Sequence, residues 1–113
     1  MKGPIGVGLL SNGNIVVGEF GGKRLQIFDS QGKFVRVVGD GKVNDPYHLF
    51  VDSDDHILVT DAGNNRIQVF HQNGHHIKII GSRENFYPRG ICMDPEGRII
   101  FSEGSGAHRI SIL

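Results

Sequence analysis

The chain has 113 residues, with 12 Lys plus Arg against 12 Asp plus Glu, so its formal charge is zero. That length fits one ordinary domain with a real core, and the even charge calls for neither a polyanionic partner nor a membrane surface. Seventeen glycines and no tryptophan point to tight turns and short strands, and a single cysteine rules out an internal disulfide framework.

No apolar run approaches the roughly 18–20 residues that span a bilayer. No basic segment followed by a hydrophobic stretch opens the chain, so no signal peptide is expected and the compartment is read as cytoplasmic.

Pro4, Pro46 and Pro88 lie 42 residues apart, and from each the text runs in parallel. This period defines three repeats, 4–45, 46–87 and 88–113. In the first, "NGNIVV", "KRLQIF" and "GKFVRVVG" follow one another. In the second, apolar segments at 49–51, 57–60, 67–70 and 77–80 are separated by "DSDD", "DAGNN" and "QNG". Asn, Asp and Gly tolerate the left-handed backbone that hairpin turns demand, so each full repeat reads as a four-stranded antiparallel meander. The third repeat stops inside its third strand and carries one extra residue before Arg109.

The strands differ in kind. The second of each repeat is apolar on consecutive residues, at 15–17, 57–59 and 99–101, which means that both faces are covered. The third alternates around Gln26 and Gln68, and the fourth places Arg36 and Lys78 mid-strand, as suits an outer edge. Sheets buried on both sides within and polar outward, at this period, are propeller blades. The expected fold is therefore all-β: a partial β-propeller of about three blades, the third lacking its outer strand.

An acid and an arginine bracket the same turn in every repeat: Glu19 with Arg24, Asp61 with Arg66, and Glu103 with Arg109. Ligand sites are rarely copied into every repeat, so these pairs read as structural clamps. His71, His75 and His76 flank one turn and read as solvated turn residues; no metal or other cofactor is expected. Cys92, between Ile91 and Met93, reads as a buried small apolar residue, and the remaining glycines as turn glycines. Nothing in the spacing supports a nucleophile or a phosphate-cradling loop, so no catalytic residue is assigned and the chain is read as a non-enzyme.

These features resemble the NHL repeat family, whose pattern "FVDSDDHILVTDAGNNRIQVF" carries best, with "NGNIVV", "KRLQIF" and "PRGICMDPEGRIIFSEGSGAHRI" beside it. The first repeat departs by placing Leu10 where the others have Asp52 and Asp94, so its first turn is expected to differ. The resemblance implies a six-bladed ring, of which this chain is half. The remaining blades would come from a longer parent chain or from a second copy. It also implies a binding scaffold, such as the recognition part of a tripartite-motif-like ubiquitin ligase.

The binding face expected is the one that gathers the turns after the second strands and the connectors between blades. It would present Phe20, Lys23, Arg24, Lys42, Tyr47, His48, Arg83, Phe86, Tyr87 and Arg89. Aromatics among cations anchor protein interfaces and also stack bases. Asp40, Asp45 and Glu84 dilute the positive field, which favours a protein or peptide partner over the alternative, single-stranded RNA.

Overall fold

The computed structural model describes residues 4–19, 21–80, 88–103 and 109–112. The first sheet contains β1 (Pro4–Leu9), β2 (Ile15–Glu19), β3 (Leu25–Phe28) and β4 (Phe34–Val38), paired in that order. The second contains β5 (Pro46–Val51), β6 (His56–Asp61), β7 (Arg66–His71) and β8 (His76–Ile80). The third contains β9 (Pro88–Met93), β10 (Ile99–Glu103) and β11 (Arg109–Ile112). All pairings are antiparallel. The chain is all-β, three successive blades of a partial propeller. Each first strand starts at the repeated proline, a position where the missing N–H is tolerated. β1 lies against β5 and β5 against β9, so the first strands meet on the inside.

Five hairpin turns share one backbone geometry. The residue that opens each turn, Leu10, Asp29, Asp52, His71 or Asp94, receives an N–H at its carbonyl from the residue three on and donates its own N–H to the carbonyl four on. The third-after position is left-handed in all five: Gly13, Gly32, Asp55, Gly74 and Gly97. Asp29, Asp52 and Asp94 also accept two backbone N–H groups each on Oδ1, which pins the turn. His71 substitutes with Nδ1, which accepts from Asn73 N at 3.2 Å. Leu10 has no polar atom to offer, and Asn12 Oδ1 accepts from Asn14 N in its stead. The first turn, expected to differ, keeps the common backbone geometry and differs only in its side-chain support, and Leu10 is freed for the core, where it is buried.

Asp55 fills a glycine position because its side chain is held elsewhere. Its carboxylate accepts from both the backbone N–H and the hydroxyl of Ser11 in the neighbouring blade. Those two bonds hold its carboxyl below the ordinary range.

Two cores lie between the blades rather than within them. Leu10, Val16, Leu25, Ile27 and Val38 of the first blade pack on Leu49, Ile57, Val59 and Phe70 of the second. Leu58, Ile67 and Val69, on the opposite face of the second blade, pack on Ile91 and Phe101 of the third. Consecutive buried residues on β6 follow directly, since the second blade has a neighbour on each face. β4 and β8, the outer strands, are mostly exposed.

Two expectations are corrected. Gly6 and Gly8 are not turn glycines: they sit within β1, and a Cβ on Gly8 would lie 2.6 Å from Leu49 Cδ1 and 2.8 Å from Val51 Cγ2. They let β1 approach β5 closely. Cys92 is exposed rather than buried. It alternates with Ile91, which turns towards the second blade, and so points away from it.

The blades bury equivalent residues unequally, and this is testable. Phe70 is 0% exposed, whereas Phe28, 42 residues earlier, is only half-buried. Phe70→Ala is expected to cost about 3–5 kcal/mol and Phe28→Ala less than about half of that, read from urea midpoints. Equal costs would contradict the packing described.

Candidate binding face

The face is built at the ends of β2 and β6, where the connector at residues 39–45 crosses from the first blade to the second. On the second blade, Asp61 ends β6 and is fully buried. A buried carboxylate is stable only when its oxygens are satisfied. Here Oδ1 accepts from Asn44 N at 2.7 Å. Oδ2 accepts from Gln68 Nε2 at 2.6 Å and Asn64 Nδ2 at 2.8 Å, with Arg66 Nε at 3.4 Å. The expected acid–arginine pair is thus one element of a larger clamp.

That clamp holds the connector by its backbone. The carbonyl of Lys42 accepts from Gln68 Nε2 at 2.7 Å and from Arg66 Nη2 at 3.1 Å. Gly63 N donates to the carbonyl of Asn44 at 2.7 Å. Between those two anchors Val43 is buried in the core shared with Phe70. Gly63 is required by proximity, since a Cβ there would lie 2.3 Å from the Asn44 carbonyl oxygen. Asn65 takes the left-handed conformation of the turn, at φ 52°. On its other side the connector is held by the first blade: Asp45 Oδ1 accepts from Gly21 N, and Gly41 N and Asp45 N donate to the carbonyls of Lys23 and Gly22.

The first blade repeats the clamp in a different state. The Glu19 carboxylate meets the Gln26 amide, as Asp61 meets Gln68. With Arg24 and Phe28 they line an open cleft of about 510 Å³, bordered by Lys23 and Asp40. Lys23, Arg24 and Lys42 have exposed side chains on this face, and Tyr47 is half-buried in β5. His48 is not a loop-face residue: it lies inside β5, and its Nδ1 accepts from Ile91 N at 3.0 Å, joining the second blade to the third.

In the third blade Glu103 stands opposite Arg109 in the β10–β11 register, as Asp61 stands opposite Arg66. Their side chains lie outside the described residues, as does that of Arg89. Phe20, Arg83, Phe86 and Tyr87 lie outside them altogether.

Sequence reasoning missed Gln68, the residue that joins clamp to connector. The signal was present, because a glutamine recurs at 26 and 68 between apolar neighbours on a strand that is otherwise buried. Asp52, Asp54 and His56 bring ligand atoms within 4.8 Å of one another. Asp52 Oδ1 is committed to the turn and Oδ2 lies 3.1 Å from His56 Nδ1, so this group serves the hairpin. His76 packs edge-on against Phe70, with ring centroids 5.2 Å apart. Burial pushes its pKa below the ordinary value, and the Lys42, Arg66 and His75 charges push the same way.

Asp61→Ala is expected to cost about 3–5 kcal/mol in urea unfolding, because it strips the acceptor from several buried donors at once. The depressed pKa of His76 gives a second outcome. The unfolded chain takes up this proton first, so the contribution is complete above about pH 6.5 and is lost as pH falls through the lower folded value. Replacing His76 by Leu should flatten the fall in melting temperature between pH 7.5 and 5.5; an unchanged slope would assign it to other groups.

Residues 49–70 match the NHL repeat. No curated protein matches the chain. Among solved structures it is similar to one from the nidogen/laminin complex, with 18% identity and a TM-score of 0.84 over 96% of this chain and 43% of that one. It is also similar to Kuenenia stuttgartiensis hydrazine synthase, with 14% identity and a TM-score of 0.82 over 97% of this chain and 33% of that one. Virginiamycin B lyase from Staphylococcus aureus shares 18% identity with a TM-score of 0.74, over 98% of this chain and 41% of that one. The chain thus spans well under half the length of these structures, and the likeness is one of fold. An NHL repeat is present in the second of three successive propeller blades.

Proposed function

We propose that the chain is a non-catalytic binding scaffold whose β2–β3 and β6–β7 turns, with the connector between them, present a surface to a protein or peptide partner. The observation that carries this reading is the connector itself. Its backbone, bent at left-handed Gly39, Gly41 and Asp45, is held by side chains of the second blade and by backbone groups of the first, so the fold already binds a segment of chain through its main-chain groups. The exposed side chains there are mixed in sign, with Lys23, Arg24 and Lys42 beside Asp40. Mixed charge suits a protein rim better than it suits a phosphate backbone.

A similar fold in the nidogen/laminin complex is consistent with a protein-binding role. A narrower version of this proposal makes the chain the recognition part of a tripartite-motif-like ubiquitin ligase in the cytoplasm; the NHL repeat at 49–70 supports its repeat architecture alone.

Peptide display against the full chain tests this. Selected binders should lose about tenfold in affinity when Lys23 and Arg24 are both changed to Glu, chiefly through slower association. Binders indifferent to that change would overturn the assignment of this face. Poly-U that binds at low salt, and weakens steeply as salt rises, would put RNA in place of protein.

A further inference from the structure

At the other end of the strands from the loop face, a cavity of about 270 Å³ opens between the first and second blades, beside the β1–β2 and β7–β8 turns. The two blades approach closely there: a Cβ on Gly74, in the β7–β8 turn, would lie 3.7 Å from the Val37 carbonyl oxygen of β4. Leu10 and Ile27, both buried, form the apolar part of its lining.

The polar part consists of donors. Asn12 Oδ1 accepts from Asn14 N and Asn73 Oδ1 from His75 N, each at 2.9 Å. Each amide thus spends its oxygen on its own turn and keeps its Nδ2 hydrogens to donate. His71 Nδ1 accepts from Asn73 N, which leaves the ring proton on Nε2. Arg36 is exposed and has no ion pair or hydrogen bond from its side chain among the described residues. No carboxylate lines the cavity.

The crevice between the second and third blades differs at this point. There Lys78 takes the place of Arg36, Val69 that of Ile27 and Asp52 that of Leu10, each 42 residues further on. That crevice has a carboxylate of its own beside its cation. In the first crevice leucine replaces the acid and the cation remains.

We infer that the crevice at Arg36, Asn12, His71 and Asn73 binds a carboxylate supplied from outside, by a small organic acid or by a peptide, where the next crevice has Asp52. The guanidinium fork matches the two oxygens of a carboxylate, and the amide and imidazole N–H groups add donors around it. Leu10 and Ile27 accommodate a short aliphatic arm. The volume suits a ligand of few atoms or a single side chain. The site shares no residue with the loop face, so either reading can fail without the other.

The test is NMR titration of the isotopically labelled full chain with sodium propionate, set against sodium chloride at equal ionic strength. Half-saturation is expected at about 1–10 mM, as for a ligand of few atoms. The shifts should fall on the Arg36 Nε–H and on the Asn12 and Asn73 side-chain amides. Arg36→Gln should weaken binding about tenfold. Asn12→Asp keeps the acceptor for Asn14 N but puts a negative charge in the crevice, and should weaken binding by at least about tenfold. Lys78→Gln should leave the affinity unchanged. Two peptides identify the source: an acetylated one ending in a free carboxylate, and one with an internal Glu and an amidated end. Tighter binding than propionate by the first assigns the carboxylate to a chain terminus, and by the second to an acidic side chain; binding no tighter than propionate by both assigns it to a small acid.

No saturable shift at about 50 mM propionate would overturn the proposal, as would the same shifts with chloride. Full affinity in Arg36→Gln or in Asn12→Asp would do so too, and so would an equal loss in Lys78→Gln, which would report net charge rather than this crevice.

Discussion

Asp61 is a carboxylate at the end of a strand with no access to water. Such a group is tolerable only if the chain delivers donors to it, and the donors come from three places: the turn that follows, the third strand, and the connector from the preceding blade. The last of these makes the constraint global. Satisfying one buried charge fixes where the first blade must sit relative to the second. The side chains that finish the task, Gln68 and Arg66, each donate a further hydrogen bond to the Lys42 carbonyl. The clamp and the path between blades are therefore one hydrogen-bonded unit.

That unit would be of little use if a blade could stand alone. Each sheet has apolar side chains on both faces, and the cores lie in the gaps between sheets. A four-stranded meander of this thickness hides neither face by itself, so stability belongs to neighbouring pairs, as in other repeat architectures. The first strands then come close enough that Gly6 and Gly8 are needed against Leu49 and Val51. Polar bonds reinforce the same gaps: Ser11 with Asp55 across the first, and His48 with the Ile91 N–H across the second.

What the sequence makes legible is whatever repeats. The 42-residue period, the turn residues and the buried second strands are local patterns, and they specify strand number and order. The exception at Leu10 is readable only in its side chains, because the loss of a carboxylate moves the support to Asn12 while the backbone turn is kept. What is not legible depends on partners far along the chain. Gln68 looks like any polar residue on an alternating strand until Lys42 and Asp61 are brought beside it. His48 looks like a connector residue until Ile91 is found at its ring. Cys92 looks buried by composition, yet burial depends on which face a neighbour covers.

The recurrence of the acid–arginine pair invites the view that it is only structural, since a ligand site copied into every blade would be redundant. The geometry changes the terms of that inference. In the second blade the acid and arginine belong to a receptor for backbone, and its ligand is the protein's own chain. Glu19 differs from Asp61 by one methylene, which lets its carboxylate reach further from the strand end than the shorter acid can. In the second blade the turn, the third strand and the path between blades are thus held by a single set of contacts.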